Sequence, residues 1–213
     1  MRRKLTLLIT VLAVTLVASA PAANAGPVLP YNSHPYGHSY SSWLRMVGQW
    51  FLGDASNPLF AGLEGDCGQQ MGKVFFMVAP IDVGLEFDCN IPKGVPIVLS
   101  HAGFFATQGI DGETDAELEA VAEAGFTFTS NSLTLDGKVL PLKAIDTGAY
   151  DVISASGSFY DTIFGLTGSV RTVVRGNVVV LHPLRPGDHV IVGQVAFTGT
   201  GGTFSATYNV HVS

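Results

Sequence analysis

The sequence predicts a mainly β protein: an antiparallel β-sandwich of jelly-roll or immunoglobulin-like type with two helical insertions. Three observations carry that expectation. Near the C-terminus Phe204, Ala206, Tyr208, Val210 and Val212 alternate with Ser205, Thr207, Asn209 and His211, the period of a strand with one wet face. Short apolar or alternating runs recur at even spacing. Gly- and Pro-bearing turns separate them, as at Pro92-Lys93-Gly94, Asp136-Gly137 and Pro186-Gly187-Asp188.

The elements follow in chain order. Arg2, Arg3 and Lys4 precede an apolar stretch over residues 5–17, and Ala23-Asn24-Ala25 closes it, which is the pattern of a cleaved export signal over residues 1–25. A membrane anchor is the rival reading, but the stretch is shorter than the ~20 residues a spanning helix needs. No span is expected after cleavage. Residues 26–38, rich in Pro, Gly, Tyr, Ser and His, read as an extended arm before one β-rich domain at 39–213. Trp43, Met46, Val47, Trp50 and Phe51 then share a helical face, with serines ahead of them and Gly53 as the stop.

Residues 73–79 (KVFFMVA) are continuously apolar, as in a strand buried on both faces, and residues 95–99 form a second such run. Between them Leu85 and Phe87 alternate with charged residues. Thr114-Asp115-Ala116-Glu117 has capping-box form and opens a short helix that Gly125 ends. Residues 126–135 return to period two, and Asp136-Gly137 is the turn of a hairpin into residues 138–145. Residues 170–174 and 177–181 flank Arg175-Gly176, and residues 190–197 supply a further strand before the last one.

Cys67 and Cys89 are the only cysteines, and export would place them in an oxidising compartment, so a disulfide is expected across the first buried strand. Losing Arg2, Arg3 and Lys4 takes the 11 basic groups to eight against 17 acidic ones, a mature net charge near −9. That balance disfavours nucleic acid and anionic lipid as partners, because both are bound through clustered Lys and Arg.

From Trp43 onward the order of motifs resembles a widespread family of uncharacterised exported bacterial proteins. The likeness lies in the Trp43–Trp50 helix, Asn57-Pro58, Cys67 with Gln70 and the Gly72-Lys73-Val74-Phe75-Phe76 strand. It continues in the Cys-x-x-Pro-x-Gly turn from Cys89 to Gly94 and the Leu-x-Pro-Leu-x-x-Gly-x-His turn from Leu181 to His189. The chain departs from the family at Val98-Leu99-Ser100-His101, where a Pro and Asn would end the strand, and at Asp161-Thr162, where Asp-Asn is usual. The resemblance implies secretion, the disulfide and a β-rich fold, and supplies no activity.

Motifs with a known mechanism are missing from the sequence: it has no G-x-S-x-G, no H-E-x-x-H, no phosphate loop and no dinucleotide fingerprint, so no cofactor is expected. His34 and His38 are four apart, but Pro35 and Gly37 intervene, and zinc needs three or four ligands. Asp111, Glu113 and Asp115 open like a calcium loop, whereas Ala116 and Ala122 occupy the positions that need Gly and Glu; a solvated helix start accounts for them better. His182 and His189 flank a turn beside Asp188, the minimum of an acid/base pair, unless His189 serves only to bond the turn. His101, Phe104 and Phe105 follow a buried strand and read as a pocket rim. Trp43 and Trp50 either stack on a sugar or fill the core.

Two function classes remain. The first is a noncatalytic extracellular binding or structural module, taking a cell-surface glycan or a protein. The second is a secreted hydrolase with a carboxylate or His-carboxylate pair drawn from His101, Asp111, His182, Asp188 and His189. The export reading predicts that intact-mass analysis of the secreted product finds a chain beginning at Gly26; a product retaining Met1 contradicts it.

Overall fold

The computed structural model describes residues 26–58, 66–198 and 202–213. The expected export signal at 1–25 lies outside them. In chain order the elements are α1 (Tyr40–Gly48), β1 (Gly68–Met71), β2 (Val74–Met77), β3 (Leu85–Ile91), β4 (Ile97–Thr107), α2 (Asp115–Gly125), β5 (Phe128–Leu135), β6 (Lys138–Val139), β7 (Ile145–Ser154), α3 (Phe159–Phe164), β8 (Gly168–Leu181), β9 (Gly187–Phe197) and β10 (Thr203–Val212). The strands form two sheets of five, ordered β1-β2-β4-β8-β7 and β3-β10-β9-β5-β6. The fold is mainly β, as the alternation predicts.

The sheets are mixed rather than purely antiparallel. β2 runs parallel to β4, and β3 parallel to β10. The reason is that the chain leaves the first sheet after β2, runs through β3 in the second, and comes back as β4. Two changes of sheet restore its direction. This connection is not that of a simple jelly-roll or immunoglobulin sandwich.

Strand β8 explains the layering. Its residues point alternately to opposite faces. On one face Gly176 meets Leu44 of α1, Val174 lies beside Gly48, and Thr172 hydrogen-bonds Tyr160 of α3 at 2.8 Å. On the other, Val173 packs with Leu118 and Ala122 of α2, while Asn177 accepts from Asn131 of β5 at 2.7 Å. Helices α1 and α3 therefore cover one side of the first sheet, and α2 and the second sheet share the other. A strand covered on both faces reads as a near-continuous apolar run, which is why residues 178–181 carry no alternation.

Several local expectations need correction. Residues 170–174 and 177–181 belong to one continuous strand; Arg175-Gly176 pairs in register with Phe104 and Gly103 and makes no turn. The hairpin at Asp136-Gly137 forms, with positive φ at both residues, but β6 is only two residues long because Pro141 ends the pairing. A third helix, α3, appears: Ser158 caps it and Gly165 ends it in the left-handed conformation. The arm is docked, with Val28 bridging Leu181 and Leu29 donating to the Val180 carbonyl. Helix α1 continues as a π-helical turn over Gln49–Gly53.

Cys67 and Cys89 form the disulfide, joining the segment before β1 to β3 and so tying one sheet to the other. Across a separation of 22 residues such a bridge contributes roughly 3 kcal/mol in the chain-entropy picture. The Cys67→Ser/Cys89→Ser double variant is expected to lose that much unfolding free energy in urea; unchanged stability would show that the tie constrains little.

Candidate functional site

Strand β2 pairs with β4 only from Phe75–Met77 to Ile97–Leu99, and the chain then turns off at Ala79 and Pro80. Strand β4 runs on to Thr107 with β8 along one edge and, among the described residues, no strand along the other. Around that free edge lies a cavity of about 270 Å³. Its walls come from both faces of the sheet: Leu44 and Val47 of α1 and Phe159 of α3 on one side, Val195 and Phe197 of β9 and Phe204 of β10 on the other.

The register between β4 and β8 slips at His101, which is the extra residue of a β-bulge. A bulge re-aims one side chain, and here it turns the imidazole toward the second sheet. Gly193 of β9 makes room for it: a Cβ at that position would lie 2.8 Å from Nδ1. The ring is 1% exposed, and its Nε2 has no hydrogen-bond partner. Burial pushes its pKa down to about 4, against the pull of the Asn131 side chain and the Gln194 backbone. His101 is therefore a neutral base in the cavity wall. It lies inside the strand, where the sequence suggests only a rim after a strand ending at Leu99.

The other candidates do not join it. His182 is exposed, and its backbone N–H donates to Pro27. His189 lies within 2.8 Å of Asp136 Oδ2 and 2.9 Å of the Arg185 carbonyl. Both partners accept, so the charged ring, with both nitrogens donating, is the form they favour, and the bond to Asp136 raises the His189 pKa. Burial opposes ionisation of Asp136, but His189 and the Val190 N–H outweigh it and hold the carboxyl below its ordinary value. Asp188 pairs instead with His211 at 2.7 Å. As neighbours on β9, Asp188 and His189 face opposite sides of the sheet, so these are two separate surface pairs.

The acidic trio is likewise dispersed. Asp111 accepts from the Thr107 N–H, Asp115 receives two bonds from Arg171, and Glu113 bonds through its backbone. Among the described residues no three His, Cys, Asp or Glu side chains are placed to hold a metal, His34 and His38 included. Trp43 and Trp50 are buried, at 3% and 2% exposure, and Trp43 donates to the Pro35 carbonyl. A glycan has no access to their faces.

No protein-family model matches the chain, and no curated protein matches it. Among solved structures, the structure of PbICP-C in complex with falcipain-2 offers a chain 13% identical, with 67% of this chain and 100% of that one covered at a TM-score of 0.29. The solution structure of amebosin is also 13% identical, with 64% and 97% covered at a TM-score of 0.21. Likenesses this distant carry no argument about the fold or activity of this chain.

The His189–Asp136 pair gives a pH prediction. A histidine raised above 6.5 in the fold stabilises fully below its unfolded-state value and loses that contribution as pH rises through the folded one. The pair is half solvated, so it contributes under about 1 kcal/mol. His189→Gln should be less stable than the parent near about pH 6, and the gap should close as the pH rises through the raised folded-state value. A gap in urea stability that widens with pH would contradict the pairing.

Proposed function

We propose that the chain is an exported, noncatalytic binding module that holds a small apolar ligand in the cavity beside His101. One observation carries this reading: the cavity walls contain no Lys, Arg, Asp or Glu, and His101 is their one titratable side chain. General acid/base or nucleophilic catalysis needs at least a second converging group, whereas concave apolar walls with a few polar atoms suit a ligand. Export is supported by the basic, apolar and small-residue order of the N-terminus, by the disulfide and by the resemblance to exported bacterial proteins. No described helix is long and apolar enough to cross a membrane. The sandwich reading of the two sheets rests on the core that they share.

The hydrolase alternative keeps the two His-carboxylate pairs in its favour, but His189–Asp136 and His211–Asp188 face opposite sides of β9 and border no common cleft. Esterase or glycosidase turnover abolished by His189→Gln would restore it.

Gly103 lines the cavity, is exposed, and a Cβ there meets nothing closer than 3.8 Å. Gly103→Phe should therefore fold and fill the mouth. Benzene at about ten times its Kd should raise the melting temperature of the parent by roughly 3 °C and leave Gly103→Phe unmoved. No shift in the parent, or equal shifts in both, would sink the proposal.

A further inference from the structure

Resting on that apolar reading of the cavity, we infer that an extended, uncharged peptide segment of another protein docks there, pairing its main chain with the free edge of β4 at Gly103 and Phe105. The direction of the main-chain groups leads there. The Gln108 N–H donates to the Arg171 carbonyl, and in an antiparallel pair every second residue repeats that direction, so Ala106, Phe104 and Ala102 face β8. Gly103, Phe105 and Thr107 therefore aim their N–H and C=O groups the other way. Thr107 bears this out and is already satisfied: its N–H donates to Asp111 Oδ2 at 2.8 Å, and its carbonyl accepts from the Ile110 and Asp111 N–H groups. Among the described residues no group pairs with Gly103 or Phe105 on that side, and Gly103 is exposed.

The outer edge of β7, in the same sheet, is closed by contrast. Ser41, Arg45 and Gln49, spaced four residues apart on one helical face, donate to the Asp146, Thr147 and Ile153 carbonyls, and Gln49 also accepts from the Ile153 N–H. Beside β4 the flanking groups are partly exposed rings, which bring no such bonds. Residues level with each other on paired strands share a face. A guest strand therefore lays alternate side chains on Phe104, Phe197 and Phe204 on one side and on Phe105, Phe159 and Phe164 on the other. Main-chain pairing with side-chain sites on both faces is what an extended peptide can satisfy. The cavity walls carry no Lys, Arg, Asp or Glu, so a charged side chain would enter without compensation for its lost hydration, and consecutive apolar residues fit. A folded second copy does not supply them, because the apolar runs among its described residues, at 74–78, 97–99 and 178–181, are buried.

The probe is an acetylated and amidated Thr-Val-Leu-Val-Leu-Thr peptide, titrated calorimetrically into the exported protein. Two N-methylated forms separate strand pairing from apolar contact. Methyl groups on the second and fourth nitrogens lie along one edge of the peptide and leave the other free to pair. On the third and fourth they block both edges, with the same side chains and the same added bulk. The first form should bind within about threefold of the parent peptide and the second about tenfold more weakly. In amide exchange, Gly103 and Phe105 should be open in the free protein and protected about tenfold or more in the complex. Gly103→Pro removes an N–H that pairs with nothing, so it should fold and lose the peptide about tenfold, while benzene still raises its melting temperature. Gly103→Ala should keep both. Equal affinities for the two methylated forms, unprotected Gly103 and Phe105 amides, or no peptide binding beside an intact benzene shift would overturn the added strand and leave the cavity a ligand site. Absence of both peptide binding and the benzene shift would overturn both readings.

Discussion

A strand that outlasts its neighbour organises this protein. Once β2 leaves the sheet after Met77, eight residues of β4 from Ser100 to Thr107 have, among the described residues, a strand neighbour on the β8 side only. An unpaired edge is a liability that proteins cover. Here the cover comes from both layers at once, with the π-helical turn after α1 and the aromatic group of Phe51, Phe159 and Phe164 on one face. On the other face Phe197 and Phe204 close in from the second sheet. Rigid side chains arriving from two directions meet around an edge without filling it, and the cavity is the space left between them.

The bulge at His101 belongs to the same geometry. One extra residue shifts the alternation of β4, so that Phe104 turns toward α2, beside Gly125, while Phe105 packs on Phe159 and Tyr160 of α3. The imidazole itself crosses to the second sheet, where the absence of a side chain at Gly193 admits it. Strand end, bulge and glycine act together. Each is unremarkable alone, and together they bury a neutral imidazole among the mostly apolar residues around the cavity.

Much of the layering was legible in the residues. Runs without alternation, at 73–79 and within 170–181, fall in the first sheet, which is covered on both faces. Alternating runs, at 85–91 and 203–212, fall in the second, whose outer face meets solvent. The capping box of α2 and the Asp136-Gly137 hairpin were visible because their bonds lie within a few residues. The parallel pairs were not visible, because they join segments separated by a change of sheet. Strand β7 and helix α3 escape local patterns, the first for its weak alternation and the second because six residues are too few to show a helical period. His101 could be named but not placed, since a bulge depends on the register of β8, which no local pattern encodes.

The state of His101 is the most direct measure of this account. In the protein as described, the ring is buried and neutral, and an NMR titration of its side-chain nitrogens should find it uncharged from neutral pH down to about 4. Titration close to the ordinary value of 6.5 would mean that water reaches the ring freely, and His101 would not be buried beside the edge of β4 as described.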